Sequence, residues 1–264
     1  MSFKLNNVVP WGRSFVEYTK MFSLTKADLD KKILDCAGGP ASFNAEMNYR
    51  GNKVISCDPI YQFTEAEIRS RIQETTALIV AGLQASLDRF VWQEIESPLE
   101  LSKLRMEAMD KFLTDFSQGK VEGRYLSRQL PELKDLEFNF NKLPIIWLLL
   151  REFDVMAGVL FLCQFLPFPD NSFDLALCSH FLFTYSEQLS GDFHLTAILE
   201  LCRVAKEVRI FPLLENFTGE ASPYIQPVIE QLREKGYEAR IEKVAYEFQQ
   251  GGNEMLLVSL PARE

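Results

Sequence analysis

Two carboxylates set the chemistry open to this chain. Asp35 lies in a short apolar run, KILDC at residues 32–36, and Asp58 follows a second run, KVISC at 53–57. Between them come Ala37, Gly38, Gly39 and Pro40, which cannot continue a strand and let the backbone turn tightly. Residues 41–48 suit a helix, and Gly51-Asn52 ends it. The order is strand, glycine turn, helix, strand, acid: a βαβ half-unit with a carboxylate about 20 residues after the turn. Small residues at such a turn let a ligand lie against the backbone, and the helix behind it offers free N–H groups. A carboxylate at the next strand tip can accept hydrogen bonds from both hydroxyls of a ribose. A dinucleotide site needs G-x-G-x-x-G to seat a pyrophosphate. Here the third glycine is missing and Asp35 would repel phosphate, so a ligand with a cationic end fits better.

Other reactive side chains are few. His180 is one of two histidines and follows an apolar strand, FDLALC at 173–178, through Ser179. It can act as a general base toward an acceptor oxygen or nitrogen, or simply cap the strand. Neighbours along a strand point to opposite faces, so Ser179 and His180 are not read as a nucleophile pair. Arg13, with Trp11 and Tyr18 nearby, can close over a ligand's amino-acid end and pair with its carboxylate, which makes it a cofactor-binding candidate. Five scattered cysteines form no C-x-x-C pair, and neither histidine has metal-ligand spacing, so no metal is expected.

Asp35-Cys36-Ala37-Gly38-Gly39-Pro40-Ala41-Ser42-Phe43 resembles the first motif of the class I S-adenosylmethionine-dependent methyltransferases, with Ala37 where that family has its first glycine. LPFPDNSFDLALC at 166–178 resembles the family's fourth motif. The resemblance implies S-adenosyl-L-methionine as cofactor. Its methionine end would lie at Asp35, Cys36 and the turn Ala37, Gly38, Gly39 and Pro40. Its ribose would lie on Asp58, its adenine along Pro59 and Ile60, and its sulfonium beside Cys178 and Ser179. Family members often carry an acid after strand three. With strand three placed near residues 159–164, only Gln164 stands there. No Asn-Pro-Pro-Tyr motif follows strand four, which disfavours methylation of nucleic-acid bases.

The elements that must hold these residues follow from pattern. The resemblance implies an α/β fold, a Rossmann-like seven-stranded sheet of order 3-2-1-4-5-7-6 with strand 7 antiparallel and helices on both faces. Two apolar runs near the C-terminus, separated by a turn holding Gly251-Gly252, fit its closing hairpin. Thr64 and Glu67 form a capping box, and Ser97-Pro98 a second helix start. A helix to about Gln84 is therefore expected, then one ending at Gly119, with Ala77 and Leu104 among their apolar positions. The chain is read as one domain, 1–264, with a helical cap over 61–130 and an apolar insertion over 131–165. That insertion holds LPIIWLLL at 143–150, too short to span a membrane. Phe181, Phe183 and Tyr185 are placed on the acceptor side with His180.

Composition bounds the partners. Of 264 residues, 47% are hydrophobic, and 37 acidic against 28 basic side chains leave a net charge of −9. That balance disfavours nucleic acid and anionic membrane surfaces. The first residues, MSFKLNNVVPWGR, lack the apolar core of a signal peptide, so a cytoplasmic protein acting on a small-molecule acceptor is the expectation. A non-catalytic S-adenosylmethionine binder and, less favoured, a nucleotide-dependent oxidoreductase are the other classes.

Overall fold

The computed structural model describes residues 10–93, 95–127, 166–215 and 219–261. The chain enters through α1 (Phe15–Met21) and α2 (Lys26–Leu29). Each opens on a capping box, Ser14 with Glu17 and Thr25 with Asp28. β1 (Ile33–Cys36), α3 (Phe43–Tyr49) and β2 (Val54–Cys57) form the half-unit read from the sequence. Two long helices follow, α4 (Glu65–Gln84) and α5 (Pro98–Val121), capped by Thr64 and Ser97. Then come β3 (Tyr125–Leu126), β4 (Phe173–Ser179), α6 (Gly191–Val204), β5 (Ala205–Phe211), α7 (Ile225–Glu234), β6 (Glu238–Lys243) and β7 (Glu254–Ser259).

The seven strands form one sheet in the order β3-β2-β1-β4-β5-β7-β6, parallel except for β7, which is antiparallel to both neighbours. Alternation along β1 explains the two layers. Leu34 and Cys36 face α6 and α7, among Ile198, Leu201, Val228 and Leu232. Ile33 faces α1 and α3, with Tyr18, Met21, Phe43 and Met47. Register then aligns the strand ends: Cys36 is level with Cys57 on β2 and Cys178 on β4, and Ser179 with Phe211 on β5. Loops leaving these tips meet at the switch point between β1 and β4, where ligands of such sheets bind.

Several expectations need correction. The third strand is Tyr125–Leu126, before the apolar block; residues 159–164, where it was expected, lie outside the described residues, as do 143–150. Two residues suffice because side chains fix them. Arg124 forks onto Asp115 with two bonds of 2.7 Å, and Asn44 Nδ2 donates to the Arg124 carbonyl at 3.1 Å. Gly119 does not end α5; it lies inside the helix, where an added Cβ would come within 2.5 Å of the Tyr125 ring, and Gly123 at φ +74° makes the turn instead. Leu104 and Ala77 are exposed rather than part of the buried stripes.

Candidate functional site

Asp35 is 1% exposed and is held by two hydroxyls, Tyr18 Oη at 3.1 Å and Ser56 Oγ at 2.9 Å. Ser56 is its in-register neighbour on β2, and Asn44 Nδ2 in turn donates to Ser56 Oγ at 3.0 Å. One tip over, Asp58 accepts from the N–H of Ile60 at 2.8 Å and of Gly39 at 2.9 Å. Those bonds take one acceptor site on each carboxylate oxygen and leave capacity for a diol. Between the acids, a Cβ on Gly38 would sit 2.1 Å from Asp35 Oδ2, so only glycine fits there. Tyr61 Oη closes the bend by donating to the Gly39 carbonyl at 2.7 Å, while Pro59 and Ile60 are buried beneath it.

Both acids are held toward their neutral forms. Burial pushes Asp35 up to about 7 against the pull of Ser56 and Tyr18, with the Asp58 charge adding to the rise. Burial likewise lifts Asp58 to about 6 despite its two backbone donors. In its ionised form this pair beside a glycine bend suits a cationic ligand with a diol and repels a phosphate.

Ala37 turns the chain into this bend at φ +57°, and Gly39 follows at +55°. The left-handed region costs a residue with a Cβ about 1–2 kcal/mol. Glycine there loses about 0.5–1 kcal/mol to chain entropy. Ala37→Gly is therefore expected to stabilise the fold by about 0.5–1 kcal/mol, read from urea unfolding midpoints. A loss of stability would mean that the Ala37 backbone is not strained.

The second feature lies beyond the tips of β4 and β5. His180 leaves β4 at φ +51°, its N–H donating to the Phe211 carbonyl at 2.6 Å. That turn brings its Nδ1 to 2.9 Å from Ser179 Oγ, against the expectation that the two side chains diverge; strand alternation no longer applies once φ turns positive. A cavity of about 90 Å³ opens at His180, lined among others by Arg13, Arg105, Thr184, Phe211 and Phe248. Burial, then the nearby Arg13 and Arg105, hold His180 well below the usual histidine range, so its imidazole is neutral. Phe181, Phe183 and Tyr185 do not face this cavity; they are buried in the layer under α6.

The structure thus gathers Asp35, Cys36, Ala37, Gly38, Gly39, Pro40, Asp58, Pro59 and Ile60 at adjacent tips of β1 and β2. Cys178 and Ser179 lie one strand over. Cys36 and Cys178 are fully buried, facing the α6 side. Arg13 belongs to the His180 cavity, together with Arg105, Thr184 and Tyr246, which the sequence reading did not single out. Arg105 had a signal: it sits on the same helical face as Leu101, Met109, Phe112 and Phe116, and a charge at that spacing inside a buried stripe marks a special position. The tip where an adenine contact was expected is Leu126–Ser127, not Gln164, which lies outside the described residues. Among the described residues no cluster of three or more His, Cys, Asp or Glu could hold a metal, and no helix is long and apolar enough to cross a membrane.

A sheet in this strand order, closed by an antiparallel β7 and wrapped by helices, is the class I S-adenosylmethionine-dependent methyltransferase fold. The chain is 31% identical over 255 residues to the uncharacterized protein MJ0045 of Methanocaldococcus jannaschii, covering 96% of this chain and 97% of that one, and it belongs to the family of that protein. No protein-family model matches the chain. Among solved structures it is similar to a SAM-dependent methyltransferase from Aquifex aeolicus, at 16% identity, TM-score 0.37 and coverage of 92% and 87% of the two chains. It is also similar to one from Methanosarcina mazei, at 13% identity, TM-score 0.38 and coverage of 96% and 99%.

Proposed function

We propose that this protein is an S-adenosylmethionine-dependent methyltransferase acting on a small-molecule acceptor. The observation that carries the reading is the pair of buried carboxyls at neighbouring strand tips, separated by a bend in which Gly38 has no room for a Cβ. When bound, S-adenosylmethionine supplies a methyl group already activated by its sulfonium. Asp35 and the 37–40 turn hold the cationic methionine end, Asp58 holds the ribose diol, and Pro59 and Ile60 underlie the adenine. Cys178 and Ser179 border the place of transfer. The protein's remaining work is to orient the acceptor and keep water out. His180, neutral at the edge of the cavity, is the group assigned to take the proton that the acceptor loses, the acceptor's negative charge offsetting the arginines that otherwise disfavour its cation. The helices α4 and α5 serve as the acceptor cap, since Ile79, Leu83 and Arg105 reach the cavity from them.

Calorimetric titration with S-adenosylmethionine and with NAD tests the cofactor, and a methyl-release assay over an acceptor panel tests turnover. Binding of NAD in place of S-adenosylmethionine would sink the reading. Within it, Asp58→Ala removes two charge-assisted hydrogen bonds to the ribose, each worth about 1.5–3 kcal/mol. The dissociation constant for S-adenosylmethionine is expected to rise at least roughly 100-fold, since every 1.4 kcal/mol is tenfold. An unchanged constant would remove Asp58 from the site.

A further inference from the structure

The cavity at His180 contains polar groups that the protein itself does not satisfy. Arg13 Nε, Arg105 Nε and Thr184 Oγ1 are buried with no hydrogen-bond partner, and all three residues line this one space. Three residues with such atoms around a single cavity point to a ligand. Its charge is equally one-sided. Glu17 faces the two arginines, but its carboxylate is already met by Ser14 N at 2.9 Å, Ser14 Oγ at 3.0 Å, Tyr246 Oη at 2.9 Å and Arg105 Nη1 at 2.5 Å. Arg105 Nη2 donates to Tyr246 Oη at 3.3 Å, which completes a closed group with no net charge. Arg13 shares that one carboxylate at longer range: Glu17 acts on both arginines, so two guanidiniums face one carboxylate and one positive charge is left over. Arg13 Nη1 donates to the Trp11 carbonyl at 2.6 Å, and among the described residues no carboxylate contacts it directly. A half-buried guanidinium that no carboxylate contacts directly is costly to desolvate, and a bound anion offsets that cost.

The walls say what carries the anion. Trp11, Ile79, Leu83, Phe90, Phe211 and Phe248 surround the charged end. No residue of the 35–40 bend or of 58–61 lines this space, so its occupant is not the adenosyl group. One uncompensated positive charge in a cavity of about 90 Å³ calls for a monoanion, a carboxylate rather than a phosphate dianion. We propose that the cavity binds the methyl acceptor as a small carboxylic acid, its carboxylate on Arg13, Arg105 and Thr184 and its ring-bearing body against Phe90, Phe211 and Phe248. This rests on the methyl-transfer reading for the occupant's role, while the anion site stands on the orphaned donors alone.

The test is calorimetric titration of the full chain, with S-adenosylhomocysteine present, using phenylacetate and its uncharged isostere phenylacetamide. Phenylacetate is expected to bind at least tenfold more tightly than the amide. Equal affinities, or no binding of either while S-adenosylhomocysteine binds, overturn the proposal. In Arg13→Gln the preference for the acid is expected to vanish, with less than a twofold change in the constant for S-adenosylhomocysteine. The reverse split, with S-adenosylhomocysteine weakened and phenylacetate unaffected, assigns the guanidinium to the methionine carboxylate and overturns it too. The comparison of acid with amide is read on the natural sequence and does not depend on the variant folding. Acid-selective binding by a protein that fails to bind S-adenosylhomocysteine keeps the anion site and overturns its occupant's role as methyl acceptor.

Discussion

Between pH 8 and pH 5 the affinity of this protein for S-adenosylmethionine is expected to fall by well over tenfold. The reason is the protonation of the two strand-tip acids, raised to about 7 at Asp35 and about 6 at Asp58. At pH 5 both carboxyls are mostly protonated, Asp35 more completely than Asp58, so the doubly ionised form is a small minority of the protein. A cationic ligand stabilises the ionised form, lowers both values on binding and releases protons. Affinity therefore climbs with pH up to about 7 and levels off above it. Calorimetry at pH 5, 6, 7 and 8, in buffers of different ionisation enthalpy, reads both the slope and the number of protons released. Asp35→Asn should leave only the shallower, roughly tenfold step of Asp58. A profile flat across this range would take both carboxyls out of the binding step.

The same raised values act in the opposite direction on the free fold. Each acid binds its proton more tightly folded than unfolded, so folding takes up protons between about pH 4 and pH 7. The unliganded protein loses stability as pH rises through that window. A cationic ligand would offset the cost of the ionised pair, and stored electrostatic cost of this kind is more common at sites than in scaffolds.

How much of this could be read from the chain depends on how local each signal is. The half-unit from β1 to Asp58 is encoded within a few tens of residues, by two apolar runs and a glycine turn, and it forms where expected. α4 and α5 announce themselves through Thr64, Glu67, Ser97 and Pro98, because a cap acts on its own first turn. β3 gives no such sign. Two residues carry no periodicity, and the strand is set by Arg124, Asp115 and Asn44, drawn from three separate stretches. The His180 cavity is less legible still. Arg13, Glu17, Arg105 and Tyr246 come from the entry segment, α1, α5 and the turn between β6 and β7, and no spacing in the sequence joins them. Glu17 is further disguised: as the third residue of a capping box its presence is already explained by Ser14, which hides its second role as the counterion of Arg105.

That second role predicts the largest loss of stability. Glu17→Ala leaves Arg105, 1% exposed, beside Arg13 with no carboxylate between them, and removes the acceptor of the Tyr246 hydroxyl. Breaking one side of a buried pair costs about 3–5 kcal/mol. For a chain of this size that corresponds to a fall of roughly 10 °C in melting temperature. Removing the charge on both sides should cost less, because no uncompensated ion is then left in the interior: Glu17→Gln with Arg105→Met is expected to be more stable than Glu17→Ala alone. Thermal melts of the two variants and the natural sequence give the coupling. A loss below about 1 kcal/mol for Glu17→Ala, within the range of an ordinary surface pair, would show that water rather than Glu17 carries the charge of Arg105. The same variant doubles the uncompensated charge at the cavity, so millimolar phenylacetate should raise its melting temperature more than that of the natural protein. A stabiliser that acts through the vacated carboxylate position then reports both on the ion pair and on the anion site it borders.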